Sequence, residues 1–569
     1  MNELLRRLLA RPLLLTQLVL ASLFINILAM ASTIYMMQVL NRYVTYGIDA
    51  TLVTLTAGMV IATLVEFGFR EARLVLSAAV GAEPDAMTAD AAYAVMLKSR
   101  VTALERVPAG MRAEIARGVD LIEKAYNGPA VAAALDVPFA LLYVAVLFFL
   151  SPVLAGITLM GVVLTLTVVI VGHELLRAPL RTTTETSASV QMLISTAVDG
   201  ADTARVFNAT GLLQRLWTTQ RALLRSLRHR VTVTESMTQS LTAAIATLQS
   251  VAVVGVGAML VVRGQLDIAA LVGTNILAAR ALAPLTRMGH MAEALMRGAQ
   301  ALRLLRDFAK LPLEAESGAA LETFQGRIEF KDLAFLHSGG SGPLFESTSF
   351  QLHPGSVLVV IGPNGSGKTT FVRLLAGLIE PTRGQILADG VDLRQIAPEW
   401  WRRQIMYQPQ EPIFLPGTIR ENIRVANPAL DDAGLNRVVQ SAGLRTFLDT
   451  TAMGFEAPVV DRGRTLSVGV RRRLALARAL TTGGRLVIFD EPTEGLDTEG
   501  CAAVYGIMNN LAARGHTIVT VSHDPNILRA ARMILDLGVK PVPRLSMAAA
   551  PPAPSAPAPA LQTREPVHG

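Results

Sequence analysis

Between Gly362 and Thr369 the chain reads Gly-Pro-Asn-Gly-Ser-Gly-Lys-Thr. The spacing matches G-x-x-x-x-G-K-[ST], a pattern suited to holding a polyphosphate. Glycines let successive backbone N–H groups turn inward around phosphate oxygens, and a following helix adds the positive end of its dipole. In this reading Gly362, Pro363, Asn364, Gly365, Ser366 and Gly367 form a cradle that runs on through Thr370. Lys368 neutralises the β- and γ-phosphates, and the Thr369 hydroxyl holds Mg²⁺. A second candidate pair, Asp490-Glu491, closes the expected strand Arg485-Leu486-Val487-Ile488-Phe489. The first carboxylate can bind Mg²⁺ through water, and the second can orient or deprotonate an attacking water. His523 follows the apolar run 517–521 and is a candidate contact for the γ-phosphate. Ser522-His523-Asp524 is not a catalytic triad, because adjacent residues do not converge on one point.

These residues need a sheet to carry them. Val357-Leu358-Val359-Val360-Ile361 is a short buried-strand pattern directly before the glycine loop, and a helix is expected from Lys368. Residues 326–540 therefore read as an α/β nucleotide-binding domain, reached through a polar linker at 311–325. The rest of the chain is different. Of 569 residues 51% are hydrophobic and 17% charged, against about 25% charged in soluble domains. That balance excludes a purely soluble enzyme, a fibrous protein and a disordered one. The single cysteine, Cys501, permits no internal disulfide, and the eight histidines show no metal-ligand spacing.

A helix needs about 20 apolar residues to cross a hydrocarbon core of about 30 Å. Six stretches qualify: 13–40, 51–69, 130–150, 152–172, 241–263 and 267–286. The connections 70–129 and 173–240 are long and rich in arginine, whereas the others are short. The positive-inside rule places the long connections, both termini and the nucleotide-binding domain in the cytoplasm. The net charge of +7 then reflects topology, and nucleic-acid binding is not expected, because the arginines are dispersed without an aromatic-rich face. The expected organisation is a cytoplasmic N-terminus at 1–12, a six-span transmembrane domain at 13–310, the linker, the nucleotide-binding domain, and a disordered Ala/Pro-rich tail at 541–569. Within the spans Asn26, Gln38, Glu66, Asp136 and Asn275 are candidates for a substrate pathway. The competing expectation is that Glu66 and Asp136 are hydrated near the span ends and that the amides bond across helices.

Leu466-Ser467-Val468-Gly469-Val470 lies between the two phosphate motifs and opens the helical run Arg471–Leu480. With this segment in place, the order of phosphate loop, Gln410, signature, Asp490-Glu491, Asp497 and His523 resembles that of ATP-binding cassette (ABC) exporters. The membrane half is similar to type I secretion exporters of the protease and haemolysin kind. Its matching segments are Phe24–Leu28, Ile34–Arg42, Leu135-Asp136-Val137-Pro138-Phe139, Gly257–Val261 and Ala279–Leu285. The resemblance implies that Glu491 is the catalytic base, with Gln410 sensing Mg²⁺ and coupling to the membrane helices. It implies that Ser467 and Gly469 touch ATP held by an opposite subunit, that Asp497 crosses the dimer interface, and that His337 takes the place of an adenine-stacking aromatic.

The resemblance further implies an ATP-driven polypeptide exporter of the bacterial inner membrane, working with a periplasmic adaptor and an outer-membrane channel. The first span opens almost at Met1, so no peptidase-like domain is expected before it, which agrees with cargo carrying a C-terminal signal. A lipid or small-molecule exporter and a regulatory subunit of a heterodimer are the alternatives. The family signature is usually L-S-G-G-Q, whereas Val468 and Val470 stand at its third and fifth positions here. A β-branched residue resists positive φ and narrows the approach to phosphate, so weakened ATP sandwiching is expected. A homodimer, slightly favoured by symmetry, would carry that weakness twice, and a heterodimer would borrow a normal signature. Residues near 115–128 and 204–213 are the expected coupling segments.

Overall fold

At about 1.5 Å per residue, a helix of some 50 residues is roughly 75 Å long, more than twice the hydrocarbon thickness. The computed structural model of the chain, which describes residues 2–337 and 342–547, contains several helices of that size. Its residues divide into two compact units, one of 2–99 with 103–313 and the other of 100–102 with 314–547.

The first unit is helical. Six helices are long and apolar enough to cross a membrane: Pro12–Val44, Asp49–Lys98, Gly128–Leu150, Pro152–Asp199, Thr210–Val262 and Ile268–Phe308. The arginine-rich connections are largely continuations of these helices beyond the apolar segments, completed by the shorter helices Val101–Glu105, Ala109–Ala125 and Ala201–Val206. Asn127, Ser151 and Asp267 cap the third, fourth and sixth helices by accepting backbone N–H groups, two of them beside a proline in the first turn. Pro84 and Pro179 lie inside the second and fourth helices, and the fifth runs 53 residues without a proline. Leu147, Leu154, Val253 and Leu277 pack between helices, while Phe149 and Val262 point outward, each 89% exposed.

The polar residues of the spans bond to one another. Asp136, 3% exposed, accepts from Arg73 Nη1 at 2.7 Å and from Asn26 Nδ2 at 3.3 Å. Arg287 Nη1 approaches its other oxygen at 3.4 Å. The Tyr143 hydroxyl donates to Asn26 Oδ1 at 3.0 Å, and Ser250 Oγ donates to Asn275 Oδ1 at 2.8 Å. The Asn26 and Asn275 amides do bond across helices. Asp136 is not hydrated as expected, because the broken third helix, Gly128–Asp136 then Phe139–Leu150, turns its carboxylate inward onto Arg73. Glu66 pairs with Arg70, one turn away.

The second unit carries two principal sheets. Its strands are β1 (Ile328–Phe335), β2 (Phe345–Leu352), β3 (Val357–Ile361), β4 (Arg383–Ala388), β5 (Val391–Asp392) and β6 (Ile405–Gln408). They continue as β7 (Gly417–Thr418), β8 (Pro458–Val459), β9 (Leu486–Asp490), β10 (Thr517–Val521), β11 (Met533–Asp536) and β12 (Arg544–Met547). A four-stranded antiparallel sheet has the order β2-β1-β4-β5, and the larger sheet has the order β12-β11-β3-β10-β9-β6. In the larger sheet β11, β3, β10, β9 and β6 run parallel, and β9 and β10 are buried at every position. Burial on both faces explains why these strands read as continuous apolar runs.

Both expected borders of this unit shift outward. Phe324, inside the stretch assigned to the linker, is 3% exposed and packs edge-on against Trp401 at 5.2 Å. Strand β12 pairs with β11 beyond residue 540, because Leu545 joins the apolar edge of the sheet. The remainder of the expected tail, 548–569, lies outside the described residues.

Candidate functional site

The parallel strands β3, β9 and β10 end on the same side of the sheet, and each delivers a candidate residue there. After β3 the chain enters the glycine loop with φ of 148° at Gly362, 80° at Gly365 and 103° at Gly367. A side chain disfavours such angles. A Cβ at Gly365 would meet nothing within 4 Å, leaving open space over the loop, whereas one at Gly362 would strike Ser366 Oγ at 2.6 Å. The helix Lys368–Leu375 follows at once, capped by left-handed Gly367. Lys368 Nζ donates to the Gly362 carbonyl at 2.7 Å, which keeps the ammonium over the loop. The Ser366 hydroxyl is buried without a hydrogen-bond partner.

Strand β9 brings Asp490 to this loop. Its carboxylate is 1% exposed; Thr369 hydrogen-bonds it, and Oδ2 has no partner. Burial pushes its pKa up, against the opposing pull of Thr369, Lys368 and Arg373. A buried carboxylate oxygen without a partner beside a threonine hydroxyl suits a hard divalent cation such as Mg²⁺, which prefers oxygen ligands. Among the described residues there is no cluster of three or more His, Cys, Asp or Glu that could hold a metal by itself.

Glu491 is the next residue, and its backbone is unusual, with φ of +50°. A non-glycine residue in the left-handed region costs on the order of 1–3 kcal/mol and persists only where its surroundings hold it. Its N–H donates to the Val521 carbonyl of β10 at 2.9 Å. Burial raises the Glu491 pKa, with His523 and Lys368 acting in the opposite direction. His523, just past β10, lies with Nε2 3.7 Å from Glu491 Oε1. Lys368, Thr369, Asp490, Glu491 and His523 are thus neighbours, as their spacing leads one to expect.

The remaining expected residues lie at the edges. Gln410, two residues past β6, donates from Nε2 to Glu494 Oε2 at 3.4 Å. Asp497 caps the helix Thr498–Ala513 by accepting from Gly500 N at 2.7 Å and pairs with Arg473, and these two contacts hold its carboxyl below the usual range. His337 is exposed, with its ring 6.1 Å from Phe335, and residues 338–341 lie outside the described residues.

The backbone of the signature segment differs from expectation. Ser467 is the N-cap of the helix Val468–Leu480, accepting from Val470 N at 3.3 Å. Val468 and Val470 therefore occupy the first helical turn, and neither has positive φ. The conflict expected between β-branching and backbone angle does not arise. A Cβ at Gly469 would meet nothing within 4 Å.

Two residues not singled out by spacing also join this site. Arg472 Nη1 donates to the Glu491 carbonyl at 2.9 Å, and its Nη2 donates to Glu494 Oε2 at 2.9 Å. The Arg472 bond holds the Glu494 carboxyl below its ordinary pKa. The only sequence signal was an arginine in a run of three and an acid near a strand end.

A family model described as ABC transporter matches residues 345–494. The alpha-hemolysin translocation ATP-binding protein HlyB of Escherichia coli O157:H7 is 28% identical over 515 residues, covering 90% of this chain and 73% of the relative. The exotoxin translocation ATP-binding protein PaxB of Pasteurella aerogenes is 26% identical, covering 91% and 73%. The solved structure of a bacterial Atm1-family ABC exporter with ATP bound superposes with a TM-score of 0.82 at 19% identity, covering 92% of this chain and 93% of that one. At that identity the likeness speaks for the fold.

Proposed function

Since the chain belongs to the ABC transporter family, with six membrane helices joined to an ATP-binding cassette, we propose that it is the energising permease and ATPase of a type I secretion system, exporting a polypeptide. One observation carries this reading: similarity to toxin translocation proteins extends over 90% of the chain, so it includes the membrane half as well as the cassette. The chain is a multi-pass membrane protein that couples ATP hydrolysis to transport. Its proposed place is the bacterial inner membrane, with termini and cassette cytoplasmic, an adaptor and outer-membrane channel as partners, and lipid around its apolar helices.

In the proposed reaction the glycine loop and Lys368 hold the β- and γ-phosphates, and Ser366 offers its unpartnered hydroxyl to the same group. Thr369 and Asp490, with Gln410 nearby, would hold Mg²⁺, which supplies charge neutralisation on the phosphate oxygens. Glu491 takes a proton from the attacking water as its oxygen bonds to the γ-phosphorus. The bond from that phosphorus to the bridging oxygen breaks, and ADP leaves with the electron pair. His523, next to Glu491, orients the γ-phosphate. In a dimer Ser467 and Gly469 contact ATP on the opposite cassette, Asp497 lies at the interface, and His337 stacks on adenine.

The helical angles at Val468 and Val470 favour a homodimer, since the signature helix starts normally. ATP turnover by the purified chain alone tests that point, with robust activity expected and activity only after adding a second ABC subunit counting against it. Export is tested by deleting the gene and comparing extracellular polypeptides. Loss of one polypeptide, restored by the intact chain, is expected; unchanged secretion with altered membrane lipid would sink the reading.

A further inference from the structure

Resting on the assignment of Glu491 as the group that takes the proton, we propose that Arg472 and Glu494 form a positioning pair for hydrolysis. Arg472 holds the Glu491 peptide in its left-handed conformation, and Glu494 ties that hold to Gln410.

Glu491 sits at φ +50° between two anchors. Its N–H is fixed to Val521 O at 2.9 Å. Its carbonyl accepts from Arg472 Nη1 at 2.9 Å and from Glu494 N at 3.3 Å. Arg472 is 8% exposed and rises from the helix that Ser467 caps, 19 residues before Glu491 in the chain. Its planar fork makes two bonds at once, one to that carbonyl and one to Glu494 Oε2 at 2.9 Å. The same carboxylate oxygen accepts from Gln410 Nε2 at 3.4 Å. Three segments thus meet through one guanidinium and one carboxylate: the signature helix, the turn after β9 and the turn after β6.

The direction of the effect follows from the anchors. With Arg472 removed, the Glu491 carbonyl loses its charge-assisted bond, and the residue is free to relax toward negative φ, which re-aims its side chain. The Arg472 side chain bonds to Glu491 O and Glu494; Lys368 and Thr369 are held separately, by Gly362 and Asp490. Turnover should therefore fall while nucleotide affinity stays. Lysine keeps the charge and lacks the fork, so it cannot serve both acceptors.

The test uses the purified full-length chain in lipid nanodiscs, measuring kcat and KM for ATP, equilibrium binding of a fluorescent ATP analogue, and thermal melting. Arg472→Met is expected to lower kcat about 10- to 100-fold, as displacement of a reacting group does. KM and analogue affinity should stay within about twofold. Arg472→Lys should recover only part of the loss. Glu494→Gln, at a half-exposed position, should lower kcat about 3- to 10-fold, and the double variant should fall no further than Arg472→Met alone. If Arg472→Met does not fold, Glu494→Gln and Arg472→Lys carry the test. Wild-type kcat in these variants, a parallel loss of nucleotide affinity, or multiplicative losses in the double variant would overturn the pair. Glu491→Gln separates the two levels. Normal hydrolysis by it sinks the assignment of the base and the pair with it, whereas an inactive Glu491→Gln beside a normal Arg472→Met sinks the pair alone.

Discussion

The phosphate loop and the Asp136 cluster both gather polar groups in a confined space, and they are built from opposite materials. The loop works through backbone: three glycines within six residues take positive φ and leave room above Gly365. The cluster works through side chains, joining Asp136 to Asn26, Arg73 and Arg287 across separations of 110, 63 and 151 residues. A backbone device needs particular residue types at particular spacing, so it shows in a one-dimensional string. A side-chain device across helices needs only that each helix present one polar group at one depth, and it leaves no spacing to read.

Changes at the chemical centre should have the largest consequences. Lys368→Ala and Glu491→Gln are expected to lower ATP turnover by about 100-fold or more, measured as phosphate release. Glu491→Gln should still bind nucleotide, and near-normal release would contradict its proposed role. Next comes Asp136→Leu, which strands the Arg73 guanidinium and should cost about 3–5 kcal/mol of stability, read from melting of the helical signal. Asp136→Leu with Arg73→Leu should regain much of that loss; equal losses in both would mean that the ion pair is not what matters.

Smaller effects divide the two regions more finely. Gly365→Ala meets no neighbour within 4 Å but must sit at φ 80°, so a strain of about 1–2 kcal/mol is expected. It should appear chiefly as a raised KM for ATP in steady-state kinetics. Val468→Gly should be smallest, changing turnover by less than about threefold, because Val468 is exposed and already helical. A gain of tenfold would restore the view that the signature is impaired by its backbone.

How far the sequence could be read follows from the same division. Six apolar stretches, the α/β cassette and the residues Lys368, Thr369, Asp490, Glu491 and His523 were all legible, since each rests on composition or on strand-end placement. The backbone conflict expected at Val468 and Val470 was not legible as absent, because the Ser467 cap, which a comparison of residue types does not register, sets their helical angles. Asp136 misled because distance from the end of an apolar run says nothing about which way a broken helix turns. Arg472 and Glu494, 22 residues apart on different elements, had no local sign of meeting. Phe324 and Leu545 were lost to the borders because single apolar residues in polar surroundings carry no period.

The fifth helix, Thr210–Val262, has a consequence of its own, since no proline interrupts its 53 residues. It behaves as one stiff rod of about 80 Å, whereas Pro84 and Pro179 each remove a ladder bond from the second and fourth helices and give them a place to bend. A rod of that length tilted by roughly 5° carries its far end through about 7 Å, and one of bilayer length carries it through less than about 3 Å. Extra length is leverage: an angular change too small to unpack the apolar segment becomes, at the arginine-bearing end, a displacement larger than a helical turn.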